Sequence, residues 1–128
     1  MLKAHLNQRF VSNILIGLAF FHIGTLPLQA KRGSPKPVKP VTINSIRYSA
    51  SADPDQMGFV IATDVVSGKE LWRQRIYRVF VNPAKERDVQ WVFITTLIKQ
   101  DHSLKITNER GERFSLDLIK RSVRKLGP

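Results

Sequence analysis

The sequence predicts an all-β domain, a small antiparallel meander arranged as a blade-like sheet, a sandwich or a barrel, behind an N-terminal signal segment. Three observations carry this expectation. From Val41 onward, short runs rich in β-branched and aromatic residues follow one another. Turn-forming pairs such as Asp53-Pro54, Ser67-Gly68 and Asn82-Pro83 separate them. No stretch of the body keeps apolar residues at spacings of three and four over helical length.

Residues 1–30 have the three-part order of a secretory signal. Residues 1–9 are basic with no acid, residues 10–26 are apolar, and Pro27 is followed by Leu28-Gln29-Ala30. Ala30 is the small residue expected before a cut, which places the mature N-terminus near Lys31; Leu28 is larger than the usual occupant of its position. The rival is an uncleaved anchor. A spanning helix wants about 20 predominantly apolar residues, whereas this run is shorter and includes Ser12, Asn13, His22 and Thr25. Lys31, Arg32, Lys36 and Lys39 follow it directly, and cations on both flanks weaken the orientation signal. Residues 31–40, with Pro35, Pro37 and Pro40, read as an extended, solvated Pro/Lys-rich linker.

Residues 41–128 form the β domain with a basic C-terminal tail. A first strand is predicted over 41–50 and a second over 59–66, with a loop at Asp53–Gly58 between them. A tight turn at Ser67-Gly68-Lys69 leads into a third strand over 70–81, long enough to expect a bulge. A polar loop from Asn82 to Asp88 precedes a fourth strand over 89–99, and Asp101-His102-Ser103 turns into a last hairpin of 104–108 and 113–119. On the fourth strand Val89, Trp91, Phe93 and Leu97 fall on one face, and Val92, Ile94 and Ile98 on the other. A strand apolar on both faces is covered on both. Two layers, a barrel or a partner chain are therefore required, with Trp91 and Phe93 in the core and Ile94 and Ile98 under the second layer or the partner. Phe114, Leu116 and Leu118 alternate with polar residues, as on a half-exposed strand.

With 128 residues the chain makes one domain, and its formal charge is +11. Every acid lies after residue 30, where 19 cations face 10 acids, a formal +9. That excess favours a polyanionic partner. Cysteine is absent, which removes disulfides and lipid attachment at a cysteine.

Catalytic chemistry is sparse. His102 is the one histidine after residue 30, and it falls in a turn without a nucleophile-elbow sequence anywhere. Asp53–Gly58 with Asp64 at the twelfth position has part of a calcium-loop spacing. Met57, however, stands where an oxygen ligand belongs, so the segment reads as a plain turn. No catalytic, cofactor or metal residue is assigned. The candidate partner-binding residues are Arg73, Arg75 and Tyr77 on one strand face, and Lys120, Arg121, Arg124 and Lys125 near the C-terminus. Arginines beside aromatics suit polyanions, although a cationic edge can also simply deter sheet aggregation.

Residues 61–72 (IATDVVSGKELW) resemble the repeat of quinoprotein-type (PQQ-like) β-propellers at Asp64, Ser67, Gly68, Lys69, Leu71 and Trp72. Residues 104–118 are similar to the inner strands of that repeat, with Gly111 in the turn and Asp117 at a strand end. The two segments make one or two partial units, whereas propellers have typically four to eight blades. The resemblance implies an envelope β-module, and no quinone-binding residue carries over. The resulting expectation is an exported, non-catalytic module, periplasmic or extracellular, that binds a protein or an anionic envelope polymer and uses no cofactor. The alternative is a small carboxylate- or metal-dependent envelope hydrolase. Nucleic acid is disfavoured by export, a homo-oligomer is open, and membrane contact is expected only through a retained N-terminus.

Overall fold

The computed structural model describes residues 32–127, so the signal segment lies outside the described residues. Two four-stranded antiparallel sheets are formed, each a meander of neighbours in sequence. The first contains β1 (Val41–Ile43), β2 (Ile46–Ala50), β3 (Phe59–Asp64) and β4 (Glu70–Arg75); the second contains β5 (Ile94–Gln100), β6 (Ser103–Asn108), β7 (Arg113–Asp117) and β8 (Val123–Lys125). Short 3-10 turns at Pro54–Gln56 and Asp88–Gln90 interrupt the connections. The all-β expectation is met as two blade-like layers.

The layers enclose one core. Tyr48, Val60 and Ala62 are buried from the first sheet, and Ile94, Leu97, Leu104, Ile106, Phe114 and Leu116 from the second. β1 and β2 lie against β5, and Trp72 of β4 sits near the β7–β8 turn, where the Arg121 guanidinium is 5.7 Å from its ring.

The same turn closes both sheets. Asp64 Oδ1 accepts the amides of Val66 and Ser67, each at 2.8 Å, and Asp117 Oδ1 accepts those of Ile119 and Lys120, each at 2.9 Å. The amide after each aspartate reaches the neighbouring hairpin: Val65 to the Ser45 carbonyl and Leu118 to the His102 carbonyl, both 2.9 Å. Four residues beyond each aspartate the backbone turns left-handed, at Gly68 (φ 71°) and at Arg121 (φ 54°). Arg121 thus occupies the seat of a glycine, a conformation that costs an L-residue about 1–2 kcal/mol.

When the two turns are equated, the sheets are seen to stack front to back. In β3 the buried residues lie two and four places before the aspartate, and in β7 one and three places before it. Opposite faces of equivalent sheets therefore meet, as successive blades do in a propeller.

The turn aspartates also predict an acid limb. Hydrogen bonds from the Ser67 and Lys120 amides are the largest influences holding the Asp64 and Asp117 carboxyls below the usual aspartate value. A carboxylate lowered on folding stabilises the fold above its unfolded pKa, and that contribution is lost as pH falls through the folded value. Thermal unfolding should therefore show stability declining from about pH 4 downward. Asp64→Asn combined with Asp117→Asn should flatten that decline.

Several boundaries differ from expectation. The 41–50 run is two strands joined by the two-residue turn Asn44-Ser45, with both residues at positive φ. β4 ends at Arg75 instead of continuing to 81; Ile76 N bonds the Gly58 carbonyl at 2.7 Å, and the chain then leaves the sheet. The fourth strand begins at Ile94 instead of Val89, and the register shifts between Ile94 and Thr96. That bulge lets Ile94 and Leu97, three residues apart, both enter the core. Phe93 is buried as expected and Trp91 is half-buried with its edge against Phe93 at 5.9 Å, while Ile98 is 55% exposed and has no cover among the described residues. The basic tail is the β7–β8 turn, with Lys120 and Arg121, followed by strand β8.

The linker is attached to the domain at two points, while Gly33, Ser34, Lys36, Pro37 and Lys39 are exposed. Arg32 donates to the Trp91 carbonyl, pairs with Glu109 and lies 5.5 Å from the Phe93 ring centre, and Val38 packs on the core. Glu109 joins three segments here. Besides Arg32, it accepts the Phe93 amide at 3.0 Å. Burial pushes its carboxyl up, but the hydrogen bonds from Arg32 and Phe93, together with the Arg32 charge, leave it below the ordinary value.

Candidate binding surfaces

Cross-strand register sorts the cations by face, because directly opposed residues share one. On the outer face of the first sheet, Arg47 pairs with Thr63, Arg73 with Ile61 and Arg75 with Phe59. On the outer face of the second, Lys105, Ser115 and Arg124 form a single row across β6, β7 and β8. Each sheet thus turns an apolar side inward and a cationic side outward.

The candidate residues separate accordingly. Arg73 is bound by Glu70 through two contacts of 2.6 and 2.7 Å and also by Gln56. The Glu70 partner holds the Arg73 pKa above its ordinary value, and much of its charge is neutralised locally. Arg75 lies 4.8 Å from the centre of the Phe59 ring and makes no ion pair among the described residues. Tyr77 does not share their face. Its hydroxyl donates to the Val92 carbonyl at 2.8 Å and its ring stacks on Phe114 at 5.3 Å, so it joins the two sheets. Burial, first, and the nearby Glu109 and Glu112 push the Tyr77 phenol well above its ordinary pKa.

At the other end of the set, Lys120 and Arg121 lie in the β7–β8 turn and Arg124 faces outward on β8. Lys125 pairs with Glu112 at 2.6 Å and approaches the Phe114 ring, so it serves the fold. The structure therefore brings Arg124 together with Lys105, and Arg75 with Arg73 and Arg47, and it sets Tyr77 and Lys125 apart. Arg47 and Lys105 were missed from sequence. The signal for both was alternation: Arg47 lies between Ile46 and Tyr48, and Lys105 between Leu104 and Ile106.

Apart from Glu70 and Glu112, four of the acids are taken up by backbone amides. Asp53 caps the Pro54–Gln56 turn, Asp64 and Asp117 cap the two sheet-closing turns, and Asp88 accepts the Arg32 and Val89 amides. Asp53 and Asp64, the ends of the partial calcium spacing, thus serve two different turns. No group of three His, Cys, Asp or Glu side chains able to hold a metal comes together among the described residues.

Between the sheets, at the end carrying the two-residue turns, a cleft of about 580 Å³ opens over Ile43, Ile46 and Tyr48, with Lys99, His102 and Leu118 around it. His102 itself is exposed in the β5–β6 turn. Burial raises the pKa of Tyr48.

No protein-family model matches the chain, and no curated protein matches it. Among solved structures the chain is similar to BamB from Moraxella catarrhalis, a β-propeller of PQQ-like repeats. The two share 22% identity with a TM-score of 0.55, over 73% of this chain and 27% of that one. The chain thus spans about a quarter of the length of that propeller, and its two four-stranded sheets have the form of consecutive blades.

Proposed function

We propose that this two-blade domain is a non-catalytic binding module whose outward sheet faces take an anionic partner, either an acidic protein segment or an acidic polymer of the cell envelope. One observation carries the reading. Arg47 and Arg75 on one outer face, and Lys105 and Arg124 on the other, form no ion pair among the described residues, while the acids cap turns or pair elsewhere. Cations on a rigid sheet need little reorganisation to meet a row of negative charges, and the counterions they release favour binding. The order of charge, apolar run and Ala30 in residues 1–30 supports export as the setting.

Retention on immobilised heparin tests this. The protein should bind at low salt, and affinity should fall on the order of tenfold or more between 50 and 200 mM salt. Arg47→Glu with Arg75→Glu, and separately Lys105→Glu with Arg124→Glu, should each elute earlier with little change in melting temperature, since exposed charges add little stability. Absence of retention at low salt, or unchanged elution of both variants, would refute the proposal.

A further inference from the structure

The two sheet-closing turns share a feature that their hydrogen bonding does not require. Each cap uses an aspartate side chain and main-chain amides, which leaves the residue two places beyond the aspartate free in kind. In both turns that residue is aliphatic and points into solvent: Val66 is 88% exposed and Ile119 is 74% exposed. Val65 adds further exposed apolar surface. Turn tips in water ordinarily carry polar residues or glycine.

Both tips lie at the same end of the sandwich. Val65 is bonded to the β1–β2 turn, Leu118 to the β5–β6 turn, and Asn44, His102 and Ile119 border one cleft. Cations surround them. Lys69 and Lys120 lie in the turns, Arg121 follows Lys120, and Lys99 lines the cleft. Of the acids at this end, Asp64 and Asp117 are tied to amides and Glu70 pairs with Arg73, which leaves Asp101 beside His102.

We propose that this end of the domain docks on an anionic lipid bilayer, with Val66 and Ile119 entering the interface and Lys69, Lys99, Lys120 and Arg121 at the head groups. Two exposed apolar turn tips, one on each sheet, suit a deformable surface better than a fitted protein pocket. Short aliphatic tips alone give marginal binding, and cations attracted by the negative surface potential supply the second signal. The turns are already fixed by their caps, so little ordering is required on contact. This contact is distinct from the sheet faces and is made by the folded domain, not by residues 1–30.

The absence of cysteine allows a direct test on the full chain. Val66→Cys, Ile119→Cys and, in the loop at the opposite end of β6, Arg110→Cys each accept one environment-sensitive fluorophore. With vesicles of phosphatidylcholine and phosphatidylglycerol, the labels at 66 and 119 should shift to the blue and be quenched by lipid-borne quenchers, while the label at 110 stays aqueous. Pure phosphatidylcholine should give little shift. Lys69→Glu with Lys120→Glu should weaken the response on the order of tenfold or more. Labels at 66 and 119 that stay aqueous while the protein sediments with vesicles would overturn the proposal and assign adsorption to residues 1–30 or to the sheet faces. An equal shift on uncharged vesicles would overturn the role of the cations. A shift that appears only when a second protein is added would replace the bilayer with a protein partner. Heparin retention is read separately, so either proposal can fail alone.

Discussion

Replacing Phe114 by alanine should cost the domain about 3–5 kcal/mol, as the loss of a large buried ring does. Its ring is the point at which both sheets and the connecting chain meet. It is buried on β7, stacked on Tyr77 and packed within the inter-sheet cluster. Domains of this size have about 5–15 kcal/mol of stability in total, so the variant should unfold at a much lower urea concentration and expose surface at the inter-sheet seam. Ile98→Ala is the matched control. Ile98 is one residue from buried Leu97, yet it faces outward, and its truncation should change stability by less than about 0.5 kcal/mol. A Phe114→Ala loss below about 1 kcal/mol would mean that the two sheets do not pack as described.

Gly58→Ala should be nearly as damaging, for a different reason. Gly58 has φ 76°, and a methyl group there would lie 2.6 Å from the Tyr77 carbonyl oxygen and 3.1 Å from its ring. The obstruction is backbone and cannot swing aside. The cost should exceed the about 1–2 kcal/mol of a left-handed L-residue, because the Ile76–Gly58 hydrogen bond and the placement of Tyr77 are disturbed as well. Gly68→Ala separates the two contributions. Gly68 has φ 71° with nothing within 4 Å of the added methyl, so its loss should stay within the backbone term alone. Chemical denaturation of both variants checks the difference, and equal losses would rule out the clash.

The contrast between Gly68 and Arg121 explains how much of the fold was legible. The β3–β4 hairpin could be read because Asp64, Ser67 and Gly68 state its turn in residue types. Of its counterpart only Asp117 is marked in the sequence, not the turn that follows. Arg121 takes the left-handed position without a glycine to mark it, so the resemblance stops at the strand end Asp117 and β8 reads as a charged tail. Asn44 and Ser45 concealed a turn in the same way, in the middle of an apparently continuous strand. The bulge after Ile94 defeated strict alternation, which is why Ile98 was expected under cover. Tertiary contacts account for the remaining differences: nothing local shows that the chain leaves the sheet at Ile76 and turns Tyr77 inward, and the linker gives no sign that Arg32 reaches Glu109. Which cations face outward was readable by period two, and which of those are neutralised was not, since Glu70 reaches Arg73 past the β4 bulge and Glu112 reaches Lys125 across the β7–β8 hairpin.

Front-to-back stacking of the sheets has a consequence for self-association. A two-fold interface exhausts itself in a pair, whereas a head-to-tail interface leaves at each end a surface of the kind that has just been used, and repetition gives rings or filaments. Here both terminal surfaces bear cations, Arg47 and Arg75 at one end and Lys105 and Arg124 at the other. Like charges brought face to face repel, so growth of the stack is opposed by the same side chains that would hold an anionic partner. A polyanion bound between two copies cancels that repulsion, so occupancy of the faces and protection against polymerisation are opposed states of one set of residues.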